Sequence, residues 1–543
     1  MATLNGAQAL TASLKAYGVD TVFGIPGVQL DSMFDALYHE RDTLRVIHPR
    51  HEQSTAYMAF GYAQTTGRVG TCLVVPGPGV LNTATALSTA YSCGAPVLEI
   101  AGQIPSPFIG LGLGQLHEID DQQGAMASVV KWSARAESAA DAPGVMREAF
   151  KQLRTGRVRP VMVEMAADVM GRDEEVALLD PVTEYAEPEA DPDLIEQAAA
   201  LLGQAQNPAI FVGGGVHGAE AELLALAETV QAPVIMSPHG MGAVDTRNYL
   251  GHSLLSGARM WTDVDVALAV GTRFLMPMAN WGHDDAIKLI RVDIDPDQSI
   301  RPWAPDVHMV STAKRALGAL AERVQRHNVK RPSREEELLG VKAAVTESIA
   351  DLAPQAAYAD AIRRQLPDDG IACFGLTQVG YYAWYGFPTY APRTMLHPGY
   401  QGTLGYVFPT ALGAQVANPD KKVIAISGDG GFMFCMQELS TAAQHHINLV
   451  TVVFNDGYFG NVRRIQEERF EGRHIATELN CPYFMKLADS FGVRGLRVET
   501  PEELDAALET AFKADEPVLV EVTRHEPFPS PWVHLPRRRL RGG

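Results

Sequence analysis

One stretch, residues 422–464, constrains the fold more than any other part of the chain. Two short, β-branched apolar runs in it are too short for helices and typical of buried parallel strands. In order, it contains a strand from Val423 to Ile426, the turn Gly428-Asp429-Gly430-Gly431, a helix from about Phe432 to Gln444, a strand from Leu449 to Phe454, and the turn Asn455-Asp456-Gly457. This order predicts a strand–turn–helix–strand unit with an acidic group at the carboxyl end of each strand.

Ligands bind at the carboxyl edge of open parallel sheets, so this unit indicates a binding site. Glycines let the backbone approach a phosphate, and a helix start offers free N–H groups and a positive dipole. The carboxylates of Asp429 and Asp456 would repel a phosphate unless a hard divalent cation lay between them. The pattern therefore predicts magnesium and a diphosphate. The alternative is a crossover unit whose Gly and Asp residues only form turns.

The same alternation of short strands and helices runs through the rest of the 543 residues. It predicts an α/β fold with three doubly wound parallel-sheet domains, over residues 1–172, 190–328 and 355–530. An acidic, proline-bearing linker (172–192) and a charged stretch (326–338) separate these domains. In the first domain the predicted strands are Thr21 to Phe23, Leu44 to His48, Thr71 to Val75, Pro96 to Ala101 and Val161 to Glu164.

Charge and cysteine content exclude several classes of function. The formal net charge of −19 argues against nucleic acid or an anionic membrane as a partner. Five cysteines lie far apart without a C-x-x-C pair, so a reducing cytosol is the expected setting. Residues 1–18 form an amphipathic helix pattern without a signal-peptide core, and no apolar run reaches 18 residues. We therefore expect a soluble, cytoplasmic protein.

Further motifs accompany the opening stretch, in which 27 positions separate Asp456 from Asp429. Together they resemble the thiamine-diphosphate enzymes of the acetolactate synthase, benzaldehyde lyase and benzoylformate decarboxylase group. The other matching segments are FGIPG (23–27), RHEQSTAYMAFGYA (50–63), PGPGVLN (76–82) and GTLGYVFPTALGA (402–414). The resemblance implies a pyrimidine-binding, a central and a diphosphate-binding domain. It also implies a homodimer or homotetramer with the cofactor bound between the first domain of one subunit and the third of another.

The resemblance also assigns roles to individual residues. It implies Mg²⁺ ligation by Asp429, Asp456 and the backbone carbonyl of Tyr458. The family usually has Asn where Asp456 stands, and Asp keeps a hard oxygen ligand. The implied thiamine-diphosphate contacts are Pro26, Glu52, Asn82, Thr377, Gln378, Gly402, Leu404, Asp429, Gly430, Gly431, Asp456 and Tyr458.

Glu52 is the residue to which the resemblance gives the first catalytic role. In the family this Glu hydrogen-bonds the aminopyrimidine ring of the cofactor and thereby promotes loss of the thiazolium proton. Without the other motifs, it would read as a first-turn Glu that complements a helix dipole. The Leu404 side chain is expected to wedge under the cofactor and hold it bent.

Gln29 and His117 are the predicted catalytic residues on the substrate side. By this resemblance, Gln29 matches the position of a catalytic His in benzaldehyde lyase. His117 falls where acetolactate synthase and benzaldehyde lyase both carry Gln. The two identities are exchanged relative to benzaldehyde lyase. Both side chains are expected to point toward the thiazolium carbon, where His117 would move protons near neutral pH.

The central domain contains Gly213 to Gly218, which satisfies G-x-G-x-x-G after a strand and before a helix. A dinucleotide site would also have an acid at the end of the next strand, but that strand ends in Ser237-Pro238-His239. In acetolactate synthases, which this chain resembles, the corresponding domain binds FAD in a non-redox role, but their Arg-Phe-Asp-Asp segment is Arg273-Phe274-Leu275-Met276 here. FAD binding is thus left open, and the loop is expected to be a degenerate fold feature.

These observations predict a thiamine-diphosphate- and Mg²⁺-dependent 2-keto-acid decarboxylase or carboligase. Three alternatives stay open: a 2-hydroxy-ketone lyase of the benzaldehyde lyase type, a flavin-linked 2-keto-acid oxidase, and a non-catalytic regulatory homologue. Glu52, Asp429 and Asp456 are intact, which argues against the last. The substrate and its acceptor are not predicted.

Overall fold

The computed structural model describes residues 1–301, 303–523 and 527–542, and it contains three six-stranded sheets in succession. Every strand in these sheets runs parallel to its neighbours, and helices connect them. The predicted α/β class with three parallel-sheet domains is confirmed. Residues 302 and 524–526, which fall within the predicted second and third domains, lie outside the described part.

The first sheet is built from residues near the N-terminus. The elements are β1 (Ala2–Asn5), α1 (Gly6–Ala16), β2 (Thr21–Gly24), α2 (Asp31–His39), β3 (Arg45–Ile47), α3 (Glu52–Thr66), β4 (Gly70–Val74), α4 (Pro78–Cys93), β5 (Val97–Gln103), α5 (Gln122–Met126), β6 (Trp132–Ala136), α6 (Ala142–Arg154), β7 (Val161–Ala166), α7 (Ala167–Gly171) and β8 (Asp173–Val176). The sheet order is β3-β2-β4-β5-β7-β6. Its central strands are buried along their length, because helices cover both faces. Each of the five predicted strands is found, within two residues at either end.

The second sheet belongs to the central part of the chain. The elements are α8 (Pro192–Gln204), β9 (Pro208–Val212), α9 (Glu220–Val230), β10 (Val234–Met236), β11 (Gly251–His252), α10 (Leu254–Met260), β12 (Val266–Val270), β13 (Lys288–Asp293), α11 (Pro296–Ser299), β14 (Val307–Val310), α12 (Ala313–Val324) and α13 (Glu335–Ser348). The sheet order is β11-β10-β9-β12-β13-β14. A one-turn 3₁₀ helix, Gly214–Val216, occupies the glycine-rich loop after β9.

The third sheet contains residues 422–464, the stretch that most constrained the predicted fold. The elements are α14 (Ala353–Gln365), β15 (Ile371–Phe374), α15 (Gln378–Gly386), β16 (Met395–Leu396), α16 (Val407–Ala417), β17 (Val423–Gly428), α17 (Asp429–Met433), α18 (Leu439–Gln444), β18 (Val450–Asn455), α19 (Gly460–Arg469), α20 (Phe484–Ser490), β19 (Arg494–Val498), α21 (Pro501–Lys513) and β20 (Val518–Thr523). The order β16-β15-β17-β18-β20-β19 places the carboxyl ends of β15, β17 and β18 side by side.

The structure differs from the predicted elements at two places and adds a helix at a third. The N-terminal helix begins only at Gly6, because Asn5 caps it in a capping box with Gln8, and β1 pairs antiparallel with β8 inside the expected linker. The charged stretch at 326–338 ends within α13, whose first turn holds three glutamates that complement the helix dipole. The single helix expected over 432–444 is broken into α17, a 3₁₀ turn (Met436–Glu438) and α18.

Helices α3 and α16 hold the first and third domains together. They approach so closely that a Cβ on Gly61 would lie 1.9 Å from the Thr410 carbonyl oxygen, and one on Gly413 would lie 2.0 Å from that of Met58. Apolar residues from both domains form one continuous core around this helix pair. The contact therefore depends on glycine in each helix.

The five cysteines are all free thiols. No helix in the described ranges combines the length and the apolar character needed to span a bilayer.

Candidate active site

The predicted metal ligands lie at the carboxyl ends of β17 and β18. Asp429 is 3% exposed, and its carboxylate accepts hydrogen bonds from the backbone N–H groups of Gly430 (2.7 Å) and Gly457 (2.8 Å). The Asp456 carboxylate accepts one from the Tyr458 N–H at 3.1 Å. Each carboxylate is thus held by backbone N–H groups of its own turn or the neighbouring one.

The electrostatics at these strand ends are unfavourable for two bare carboxylates. Burial raises the pKa of Asp429 above its ordinary value, although backbone hydrogen bonds oppose the shift. Asp456 keeps access to solvent, but the surrounding protein and the negative charge of Asp429 raise its pKa to about 6. The Cys481 thiol, 3.3 Å from the Asp429 carboxylate, also has a raised pKa, of about 12. A divalent cation would offset this concentration of negative charge.

The surrounding residues fit a diphosphate-bearing cofactor. A Cβ placed on Gly431 would meet nothing closer than Ser427 Oγ at 3.4 Å, and Leu404 Cδ2 lies 3.9 Å from the same point. Thr377 Cγ2 is 3.5 Å from the corresponding point of Gly428. These residues line a glycine cradle beside the start of α17, in which a Cβ on Gly428 or Gly431 would make ordinary van der Waals contact and one on Gly430 would lie 2.7 Å from Phe459 Cε1. Gln378 Oε1 is buried without a hydrogen-bond partner among the described residues.

Gly402 and Leu404 flank a residue that the sequence analysis did not single out. The Thr403 hydroxyl accepts a hydrogen bond from Tyr57 Oη at 2.9 Å and lies 3.1 Å from Thr89 Oγ1. Tyr57 and Thr89 belong to the first domain and are fully buried. The first domain therefore holds the Gly402–Leu404 segment in place. A polar Thr inside an otherwise apolar glycine segment is the only sequence signal of this contact.

A second group of predicted residues lies at the carboxyl edge of the first sheet. Glu52 begins α3, and its Oε2 accepts a hydrogen bond from Asn82 Nδ2 at 3.0 Å. His51 caps the helix by accepting from the Gln53 N–H. Pro26, in the loop after β2, is exposed. This geometry fixes the direction of the Glu52 carboxylate.

Gln29 and His117 are in direct contact in this edge. Gln29 Nε2 donates to the Leu116 carbonyl at 2.9 Å, so its Oε1 accepts from His117 Nδ1 at 3.2 Å. This leaves His117 Nε2 as the ring atom that is able to accept a proton. The backbone of His117 has a positive φ of 68°, and its carbonyl packs on Gly77, where a Cβ would lie 2.3 Å away. The pair is thus held in a defined orientation.

The loop that leads into Glu52, residues 48–51, is held by the third domain. The Arg50 N–H donates to both carboxylate oxygens of Glu438, at 2.9 and 3.1 Å, and the His48 N–H donates to His445 Nε2 at 3.3 Å. The Arg50 guanidinium also donates to Gln444 Oε1 at 3.0 Å. Glu438 is fully buried, and sequence analysis missed it; the only signal was a Glu within an apolar helical pattern.

A separate cavity of about 1650 Å³ lies where the three domains meet. The glycine-rich loop after β9 and the end of β13 line it, together with stacked imidazoles of His239 and His397 whose ring centroids are 4.1 Å apart. Burial lowers the pKa of His239 to about 4, so this imidazole is neutral at physiological pH. Arg157 and Arg273 also line the cavity, and Asp293 provides a carboxylate.

The predicted site residues thus form two groups in one chain. One group follows the ends of β15, β16, β17 and β18, and the other follows the ends of β2 to β5. Within the described residues, no hydrogen bond or ion pair joins a member of one group to a member of the other. Nor do those residues contain a cluster of three or more His, Cys, Asp or Glu side chains suited to a metal.

Comparison with known proteins agrees with this architecture. Three family models match successive parts of the chain: the N-terminal TPP binding domain of thiamine pyrophosphate enzymes at residues 4–125, the central domain at 195–320 and the C-terminal TPP binding domain at 375–522. An acetolactate synthase from Arthrospira platensis is 33% identical over 96% of this chain and 95% of its own length.

Two other relatives show similar coverage. The large subunit of acetolactate synthase isozyme 2 from Escherichia coli K12 is 33% identical over 96% of each chain. A probable 2-ketoarginine decarboxylase from Pseudomonas aeruginosa is 32% identical over 96% of this chain and 94% of its own. The resemblance inferred from the motifs is confirmed. The chain belongs to the thiamine pyrophosphate enzymes of the acetolactate-synthase-like group, and it is a thiamine-diphosphate-dependent enzyme that makes or breaks carbon–carbon bonds.

Proposed function

We propose that the enzyme is a Mg²⁺-dependent 2-keto-acid decarboxylase or carboligase. The observation that supports this most is the pair of carboxylates, Asp429 and Asp456, at adjacent strand ends beside the glycine cradle. Asp429, Asp456 and the Tyr458 carbonyl would hold Mg²⁺, and Thr377, Gln378, Gly430 and Gly431 would contact the diphosphate. When bound, thiamine diphosphate supplies an electron sink for cleavage of the bond next to a carbonyl.

Glu52 is proposed as the proton-handling residue. Its carboxylate starts a helix and is oriented by the Asn82 amide at 3.0 Å, which leaves the other oxygen for the cofactor's aminopyrimidine ring. Leu404, beside the glycine cradle, would hold the cofactor bent, with Gly402 and Pro26 contacting its ring. Each of these residues positions or protonates; none forms a bond to the substrate.

His117 and Gln29 are proposed to act on the substrate. The Gln29 carbonyl holds the proton on His117 Nδ1, so Nε2 can accept a proton from substrate or return one. The half-exposed imidazole is accessible from the sheet edge.

We further propose that the two residue groups meet across a homodimer interface. The support is their separation within one chain, where no described hydrogen bond or ion pair links them. A Glu52→Gln chain mixed with an Asp429→Ala chain should then regain part of the activity, because one of the two sites in a mixed dimer has both groups intact. Equal inactivity of the mixture and of each variant would contradict this arrangement.

The test of the main proposal is a screen of 2-keto acids and aldehydes with thiamine diphosphate and Mg²⁺. We expect carbon dioxide release from at least one 2-keto acid, and a loss of ~10²-fold or more in Glu52→Gln. Cleavage of a 2-hydroxy ketone without any turnover of 2-keto acids would instead identify a lyase. Unchanged turnover in Glu52→Gln would contradict the proposed mechanism.

A flavin-linked 2-keto-acid oxidase is the second candidate, supported by the cavity between the three domains. Its volume of about 1650 Å³ is sufficient for a dinucleotide, and the loop at 213–215 lines it. The strand end at Ser237 still offers no acid for a ribose. The visible absorbance spectrum of the purified protein, recorded without oxygen before and after a 2-keto acid is added, decides between the two, because only an oxidase would contain a flavin that the substrate reduces and bleaches.

A further inference from the structure

Glu438 lies outside the groups to which cofactor contacts were assigned, yet it is in contact with the segment that carries Glu52. Its carboxylate is fully buried and accepts three hydrogen bonds, two from the Arg50 N–H and one from Thr441 Oγ1 at 2.6 Å. A buried carboxylate destabilises the folded protein unless its oxygens accept hydrogen bonds. Here the main donor is a backbone N–H of another domain.

The position of that N–H is what makes the contact informative. Arg50 precedes Glu52 by two residues. It lies in the loop that follows β3, which ends at Ile47. His51 and Glu52 are the cap and first residue of α3. A shift of the Arg50 backbone would therefore move the start of the helix and the Glu52 carboxylate with it.

The same loop has a second backbone anchor in the third domain. The His48 N–H donates to His445 Nε2, and the Arg45 guanidinium donates to the His445 carbonyl at 3.2 Å. Glu438 and His445 flank α18, at its N-terminal and C-terminal ends. The break between α17 and α18, which the helical pattern did not predict, places Glu438 within reach of the loop.

We propose that Glu438 is a positioning residue for Glu52: it fixes the 48–51 loop from the third domain of the same chain. The inference rests on the proposed role of Glu52, but not on the identity of the substrate. It assigns to the third domain a part in proton handling, in addition to diphosphate binding. Glu438 itself would touch neither cofactor nor substrate.

Two measurements on Glu438→Met test this, since Met keeps the volume and removes both acceptors. The first is amide hydrogen exchange of the cofactor-free protein, read by mass spectrometry on peptides covering residues 48–53; we expect the Arg50 amide to exchange about tenfold faster or more. The second is the exchange rate of the C2 proton of bound thiamine diphosphate at saturating cofactor and Mg²⁺, which needs no substrate. We expect a loss of about tenfold or more.

Two further variants separate positioning from stability. Glu438→Gln keeps one acceptor and should retain the C2 exchange rate within about threefold. Leu439→Ala removes a buried apolar side chain at the neighbouring position and should lower the unfolding temperature while leaving both exchange rates within about twofold. If Glu438→Met does not fold, Glu438→Ala is measured in its place.

The proposal is overturned if the acceptor-free variant folds and both exchange rates stay within twofold of the wild type. It is also overturned if Leu439→Ala lowers the C2 exchange rate as much as Glu438→Met does, because the role would then be general stability. A wild type that does not accelerate C2 exchange would remove the step that Glu438 is proposed to support. Failure of the enzyme to decarboxylate any 2-keto acid would contradict only the proposed function.

Discussion

Glu99 is a fully buried carboxyl group in the middle of the first sheet, and we expect Glu99→Gln to stabilise the protein in a pH-dependent way. Its Oε1 accepts a hydrogen bond from Thr83 Oγ1 at 2.6 Å, and Oε2 has no hydrogen-bond partner among the described residues. Burial, reinforced by the charge of Glu164, raises the pKa of Glu99 from 4.5 to about 8. The folded protein therefore holds Glu99 protonated at neutral pH.

The raised pKa fixes the sign of the effect. Between pH 4.5 and about 8 the folded chain binds a proton at Glu99 that the unfolded chain has released, so stability falls as the pH rises through this window. Each pH unit costs ~1.4 kcal/mol, so at pH 7 the loss reaches at most ~3 kcal/mol relative to the acid limit. Glutamine does not titrate and escapes this loss.

Urea unfolding of both proteins at pH 5 and pH 8 tests the prediction. The free energy of unfolding of Glu99→Gln should exceed that of the wild type by up to ~4 kcal/mol more at pH 8 than at pH 5. Glu164→Gln, on the neighbouring strand, is the control: its carboxylate pairs with Arg135 at 2.7 Å, so this change should destabilise the fold. An equal difference between Glu99→Gln and wild type at the two pH values would refute the reasoning.

Three further predictions concern the site. Tyr57→Phe removes the hydroxyl that donates to Thr403, which should raise the Kd for thiamine diphosphate in equilibrium titration by ~2- to 12-fold; an unchanged Kd would show that this contact does not position the cofactor segment. Leu404→Ala should slow C2 proton exchange by about tenfold or more while leaving thermal unfolding nearly unchanged, since the side chain is only half-buried; equal exchange rates would exclude the wedge role. Asp456→Ala should raise the Mg²⁺ concentration for half-maximal cofactor binding by at least ~tenfold, whereas Asp456→Asn, which keeps an oxygen ligand, should shift it less; the same shift in both would contradict ligation by this side chain.

The parallel strands and the turns that follow them were predictable from sequence because their signals are local. Short β-branched runs define β17 and β18, and the glycines and acids beside them fall at the sheet edge through chain connectivity alone. The contact of Gln29 with His117 followed only in part, since both were expected near one point but their hydrogen bond was not.

The contacts that sequence analysis missed are those between domains. Glu438 looks like an ordinary helical Glu until the 48–51 loop is placed beside it, and Thr403 gains its role from a tyrosine 346 positions earlier. The break before α18 and the pairing of β1 with β8 likewise depend on distant partners. The hydrophobic pattern within one segment carries no information about a partner that is distant in the sequence.

The backbone contact between α3 and α16 has a consequence for how the enzyme admits its ligands. With carbonyl oxygens occupying the places where Cβ atoms of Gly61 and Gly413 would stand, the two helices cannot slide or rotate past each other without a clash. The first and third domains of one chain therefore behave as a single rigid block. An opening that lets cofactor or substrate in would then come from loops at the sheet edges or from the central domain, rather than from a hinge between these two domains.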